Sequence, residues 1–413
     1  MHLQLRSLVR RRSEAPGIRA FAFISAFDAM VRGTMLSVYP LLMYRAWGDA
    51  VVVSQWYLGI GVLSLLTALS VPAMVRHIPR RWVYAMGVGF YVLAALFGIV
   101  GGKATTLALL CHAVAMAGIF VCFNAYVLDS IPKTDLGRLE SRRLFYGGIG
   151  WTVGPVLGVW LLPLWHGAPF VLVAAAALTM LAAFWWTGVS RTPVSMAGRQ
   201  ASPFPLAYLG RFLAQPRLVS GWYFALMRSC GWWVFVVYIG IFAVQQGLGD
   251  QVGGTTTSLV SVGAFFAPVM LVWIQRHSVR HAVRTGFLMS GLLFVLATLL
   301  SPWPWVAIVL LVLGAYFMVL LDICGGLPFM MSVKPSQRTE MSAVYSTFRD
   351  VSGIVGPAVA WVVLQFSPVA GVFAAAGLGL LGAWAVAGKL HPQLGVPAAQ
   401  RARQRRGDAS GSA

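Results

Sequence analysis

Residues 129–158 read DSIPKTDLGRLESRRLFYGGIGWTVGPVLG. The stretch leaves one apolar helix at Asp129, turns through a basic polar loop, and enters a second helix rich in glycine. That helix carries Gly150, Gly154, Pro155 and Gly158 in the pattern G-x-x-x-G-P-x-x-G. Small residues four apart let a neighbouring backbone come close, which is how helices associate in lipid, where apolar burial supplies no drive. Pro155 removes one internal hydrogen bond and bends the helix; a membrane bundle tolerates this when neighbours satisfy the freed carbonyl. A hinge between moving helices and a Pro-kinked packing helix both fit these residues, so the surrounding chain has to decide.

Composition places the stretch in a membrane. Of 413 residues, 59% are hydrophobic and only 10% are charged, which excludes a soluble globule with a polar exterior. The formal charge of +20 invites a nucleic-acid reading. The distribution argues against it, because basic residues sit in short runs between apolar segments. Among the 31 Lys and Arg, Arg45 and Lys103 fall in loops on one side, and Arg32, Arg228 and Arg349 fall inside apolar segments. The rest lie in tails and loops of the other side, which the positive-inside rule makes cytoplasmic. The cysteines Cys111, Cys122, Cys230 and Cys324 lie in apolar segments and read as packing residues.

Crossing about 30 Å of hydrocarbon takes roughly 20 apolar residues. About twelve segments qualify, near 18–43, 50–74, 82–101, 104–130, 143–165, 168–189, 217–246, 253–275, 280–300, 303–331, 343–366 and 368–389. The fold class expected is an all-α polytopic membrane protein of two pseudo-symmetric six-helix bundles. Its parts are a basic cytoplasmic arm (1–17), an N-terminal bundle (18–189), a Pro/Ser/Gly/Arg-rich cytoplasmic linker (190–216), a C-terminal bundle (217–389) and a basic tail (390–413). The arginines before the first apolar run suggest a signal peptide, but the run is too long and reads as a retained first helix. An even number of spans leaves both termini in the cytoplasm.

The halves look like repeats. Arg76-His77-x-x-Arg80 is matched by Arg276-His277-x-x-Arg280, Arg138-Leu-Glu140 by Arg338-Thr-Glu340, and Gly154-Pro155 by Gly356-Pro357. All three offsets are about 200 residues, so one half reads as a duplicate of the other.

These features resemble the major facilitator superfamily of transporters, in which an Asp and a Pro precede a basic loop and a GxxxGPxxG(G) helix. In that family the glycine motif typifies exporters that exchange substrate for protons; here Val159 holds its last position. Parallel six-helix repeats rocking about a mid-membrane site are that family's plan. The resemblance implies a structural role for the loop carboxylate Asp129 and for Arg138. The loop VRHIPRRWVY stands where the family carries G-x-x-x-D-R-x-G-R-R; Arg76, Arg80 and Arg81 keep its basic character. Its acidic partner and glycines are missing, so the usual charge clamp between helices is not expected. Where the family has an arginine in the fourth helix, His112 is the nearest polar residue.

Charges within spans carry the site expectations. A charge at the bilayer centre costs at least ~2.5–3.5 kcal/mol, so it is paired or faces a watery cavity. Asp28 and Arg32 stand four apart on one helix face. Asp28 is about 15 Å deep at 1.5 Å per residue. Arg228 holds the matching depth of the seventh span. The resemblance sets the first and seventh helices across a central cavity, so Asp28, Arg32 and Arg228 are expected to form one cluster. Asp322 is the second carboxylate. Gly325, Gly326 and Pro328 follow it and are expected to break the helix. A carboxyl in apolar surroundings can exchange a proton near neutral pH, as a proton carrier must. Asp28, Asp322 and His112 are the proton-coupling candidates; Arg32, Arg228 and Trp232 are the substrate candidates. Trp222 reads as interfacial belt. Arg349 and Asp350 read as a structural pair, alongside Gly150, Gly154, Pro155, Gly158, Gly356 and Pro357 as structural and gating residues.

His277 and His281 have a metal-compatible spacing, but their basic loop repels cations, and no metal is expected. No cofactor is expected, and no nucleophile–base pair or phosphate loop marks an enzyme. The function expected is secondary transport of a small organic solute, proton-coupled and outward, by a monomer in a bacterial inner membrane. The alternatives are an importer or facilitator of an organic anion on the same fold, or a non-transporting membrane assembly factor.

Overall fold

A computed structural model describes residues 17–131, 135–191, 208–333 and 337–390. The expected basic arm, the basic tail and most of the expected linker lie outside the described residues. In chain order the helices are α1 (Ile18–Trp47), α2 (Ala50–His77), α3 (Arg80–Val100), α4 (Ala104–Ser130), α5 (Leu136–Leu161) and α6 (Ala168–Trp186). A short α7 (Leu209–Leu213) precedes α8 (Pro216–Gln245), α9 (Gln251–Val262), α10 (Ala267–His277) and α11 (Val279–Leu299). The last are α12 (Pro304–Cys324), α13 (Leu327–Ser332), α14 (Arg338–Ser346), α15 (Phe348–Leu364) and α16 (Val369–Ala387). No strand occurs among the described residues, and 12 helical stretches there are long and apolar enough to cross a bilayer. The chain is an integral membrane protein.

Local chemistry sets where the helices stop. Gly48 ends α1 in the left-handed region, at φ 70°, and its N–H returns to the Tyr44 carbonyl. Asp49 then starts α2, its carboxylate accepting from the Val51 N–H at 2.8 Å. Two residues thus make a whole interhelical turn. Helix α5 begins seven residues before the apolar segment, because the polar turn LGRLESR extends the helix without raising its hydropathy. The eighth span is interrupted: α9 gives way to a 3₁₀ turn at Gly263–Phe266, and Pro268 stands in the first turn of α10. The expected break after Asp322 is present, since α12 stops at Cys324 and α13 resumes at Leu327.

The chain divides into two compact units: Met1–Ser202 with Gly249–Ser261, and Pro203–Leu248 with Val262–Ala413. In the first unit, α1 lies along α5 and also touches α6, while α3 packs on α4 and α6. Its fully buried rings include Phe21, Tyr84, Tyr91, Phe170 and Phe184. In the second unit, α8 packs on α15 and α16, and α11 packs on α12 and α16. Phe224, Phe235, Phe287, Phe294 and Phe373 fill its core. Leu66, Leu96, Leu299 and Leu378 point outward and exposed, as a lipid-facing surface requires.

Candidate functional site

The glycine helix crosses α1 at its closest approach. A Cβ on Gly150 would stand 2.7 Å from the Met30 amide nitrogen, and one on Gly154 would stand 2.6 Å from that of Thr34. Only glycine permits backbones this close. The duplicate crossing is built differently. A Cβ on Gly356 of α15 would meet the Trp233 side chain of α8 at 3.3 Å. Trp233 stands 200 residues after Gly33, so an indole fills the second crossing where glycine lines the first.

Pro155 leaves the next turn free to bond outside its helix. The Val156 N–H donates to the Ser258 hydroxyl at 2.9 Å, and the Trp160 indole donates to Thr255 at 3.4 Å. A Cβ on Gly254 would stand 2.5 Å from the Pro155 carbonyl oxygen. Arg45, near the end of α1, pairs with Asp250. All these residues belong to the first unit, because Gly249–Ser261 is part of it.

Helix α1 places Ser25, Asp28 and Arg32 on one face. Arg32 meets Asp28 at 2.6 Å, as the four-residue spacing foretells, and its guanidinium lies 5.2 Å over the Trp151 ring. The Tyr91 hydroxyl, from α3, donates to the other Asp28 oxygen at 3.3 Å. His112 is buried between the rings of Tyr39 and Tyr91, with centroids 5.2 and 4.9 Å away. Tyr91 therefore touches both Asp28 and His112. Arg143, counted with the topological arginines in the sequence, reaches inward instead. Its Nε donates to Ser25 at 3.1 Å, its Nη1 pairs with Glu140 at 2.7 Å, and it lies over Phe123. Of these groups, Ser25, Asp28, Arg32, Phe123 and Arg143 border an open cavity, with Tyr84 also in its lining.

In the second unit, Arg228 and Trp232 share one face of α8 and both reach Asp322 on α12. The guanidinium stands 3.2 Å from one carboxylate oxygen, and the indole N–H donates to the other at 3.1 Å. Arg228 also lies 5.7 Å over the Phe348 ring. Arg228 was expected beside Asp28 and Arg32; within its own unit its partner is Asp322. Depth along a helix is legible in sequence, whereas the direction a side chain takes is not. The Asp322 side chain keeps 44% of its surface open. Trp222, expected in the interfacial belt, donates to the Thr347 hydroxyl at 3.2 Å. Asp350 is exposed, and the Arg349 guanidinium sits 5.8 Å over Phe348.

A charge clamp is present where the loop motif had argued against one. Arg80, opening α3, pairs with Asp129 near the end of α4 at 2.7 Å, the two side chains only 7% and 11% exposed. The acid comes from another helix, so its absence from the loop was misleading. In the duplicate, Arg280 donates instead to the Gly388 carbonyl at 2.7 Å. The side chain of Arg138 lies outside the described ones. His277 and His281 stack on each other and on Trp273.

A family model described as Major Facilitator Superfamily matches residues 21–357. Among solved structures, a mutant form of the nucleoside transporter NupG is similar to this chain at 16% identity and a TM-score of 0.68. That likeness covers 90% of this chain and 100% of that one. A POT family transporter in complex with thioalcohol-conjugated peptide is similar at 11% identity and a TM-score of 0.70, over 90% of this chain and 95% of that one. A POT family transporter in complex with 5-aminolevulinic acid has the same coverage, at 12% identity and a TM-score of 0.67. At these identities the likeness is one of fold. No curated protein matches the sequence.

Proposed function

The chain belongs to the major facilitator superfamily, and on that premise we propose that it exports a small organic solute in exchange for protons. Secondary transport of a small-molecule solute follows from the family. Direction, coupling and substrate are our reading. The observation that carries it is the open Asp322 carboxylate, held by Arg228 and Trp232 inside a span. A charge that exposed and that deep has to face water, which gives protons a way in.

The mechanism follows from competition for the Asp322 carboxylate. Ionised Asp322, oriented by Arg228 and Trp232, accepts an N–H or O–H of the solute on its open side. A proton on Asp322 removes that charge and weakens the solute's hold. Loss of the proton restores the charge and lets solute bind again. Asp28 and Arg32 repeat the pair in the first unit, with Tyr91 as a further donor to the carboxylate. Exclusive occupancy of Asp322 by proton or solute makes the two fluxes exchange. The outward direction rests on the resemblance of Gly150, Gly154, Pro155 and Gly158 to the exporter motif. We place the chain in an inner membrane with both termini in the cytoplasm, on the side of the basic loops, and as a monomer. Proteoliposomes holding a pH dye test the reading: an opposing solute gradient should drive proton movement, and solute flux indifferent to a pH gradient would overturn it.

A further inference from the structure

The cavity of the first unit contains a donor that the mechanism above does not use. Tyr84 of α3 is fully buried, its ring stacked on Phe184 with centroids 4.2 Å apart. Tyr84 is in the cavity lining, and its buried hydroxyl has no hydrogen-bond partner among the described residues. A buried hydroxyl left unpaired costs about 1–3 kcal/mol, so an orphan lining a cavity marks where a ligand atom belongs. Arg143 borders the same space. A guanidinium has five N–H donors, and the Arg143 bonds to Ser25 and Glu140 use only some of them. The Arg32 Nε is likewise buried without a partner.

The unsatisfied groups are therefore donors. The lining acid, Asp28, is already engaged by Arg32 and Tyr91. Glu140 balances Arg143 as Asp28 balances Arg32, so both acids are engaged and the spare N–H donors set the preference. A cation or an ammonium group finds no free acid there, whereas a carboxylate finds several free donors. Phe120, Phe123 and Ile119 form the apolar part of the wall.

We propose that this cavity binds the carboxylate of a small organic monoanion, with Tyr84 and Arg143 as donors and Phe120 and Phe123 against its apolar body. The proposal rests on reading the chain as a carrier of organic solutes, and gives that solute a chemical class and a subsite.

The test is calorimetric titration of the purified full chain in detergent with phenylacetate and hexanoate, against phenethylamine (cationic) and phenylacetamide (neutral). At least one carboxylate should bind, and the amine and amide at least about tenfold more weakly. Y84F and R143Q should each lower carboxylate affinity about tenfold, the scale of a lost hydrogen bond to a charged group. Y84F keeps the ring and its stacking, so it separates ligand binding from folding; a purely structural hydroxyl would change the melting temperature and leave affinity alone. Binding by neither carboxylate, equal binding of the amine, or affinities within twofold in both variants would overturn the proposal. Binding of a carboxylate that proteoliposomes fail to move would leave the subsite standing and overturn the transport reading.

Discussion

Arg228 and Asp322 lie on different helices, 94 positions apart in sequence, and meet at 3.2 Å inside the second unit. The Arg228 side chain is only 15% exposed, so its charge depends on the pair. Removing one partner leaves the other uncompensated, whereas removing both leaves only a packing defect. R228A and D322A should each lower the melting temperature by several degrees, and the double variant should recover most of that loss. Scanning fluorimetry in detergent decides it. A double variant as unstable as the sum of the singles would show that the residues act independently.

The Arg80–Asp129 clamp is more deeply buried and should be worth more to stability. Breaking a buried pair by removing one partner costs about 3–5 kcal/mol. D129N should therefore destabilise the protein more than R280Q, which forfeits only a charged hydrogen bond to the Gly388 carbonyl, about 1.5–3 kcal/mol. Equal melting temperatures in the two variants would contradict this ranking.

The two glycine crossings should answer the same substitution differently. G154A pushes a methyl against the rigid backbone of Thr34, 2.6 Å away, so the helices must separate. Overpacking of this kind costs about 1–3 kcal/mol. G356A meets the Trp233 side chain at 3.3 Å, which a small shift relieves. Thermal unfolding should show a clear loss for G154A and a change below about 1 kcal/mol for G356A. The reverse order would mean that Trp233 is the more rigid neighbour.

Hydropathy made the spans legible, and the glycine spacing marked α5 as a contact helix. The break after Asp322 was equally plain, because two glycines and a proline leave a helix little choice. The 3₁₀ turn at Gly263–Phe266 was not, since its one glycine sits in an otherwise apolar run. At the site, the Asp28–Arg32 pair was readable because both residues stand on one helix at a fixed spacing. The Arg228–Asp322 pair was not legible, for pairing between helices depends on rotation about the helix axis, which one sequence does not encode. Arg143 was hidden among arginines whose number serves topology; the signal that could have found it is Glu140 three residues earlier on the same face. Tyr84 and Tyr91 carry no signal of their own, since a tyrosine in an apolar span looks like packing until its hydroxyl is placed.

The central claim is that a proton and the solute compete for the Asp322 carboxylate. Proton flux driven by a solute gradient, measured in proteoliposomes with a pH dye, tests it most directly. The account predicts coupled flux in the native protein. It predicts loss of coupling in D322N, with solute exchange persisting, because the amide takes up no proton yet its oxygen still accepts from the solute. Unaltered pH-dependent transport in the double variant D28N/D322N would contradict it.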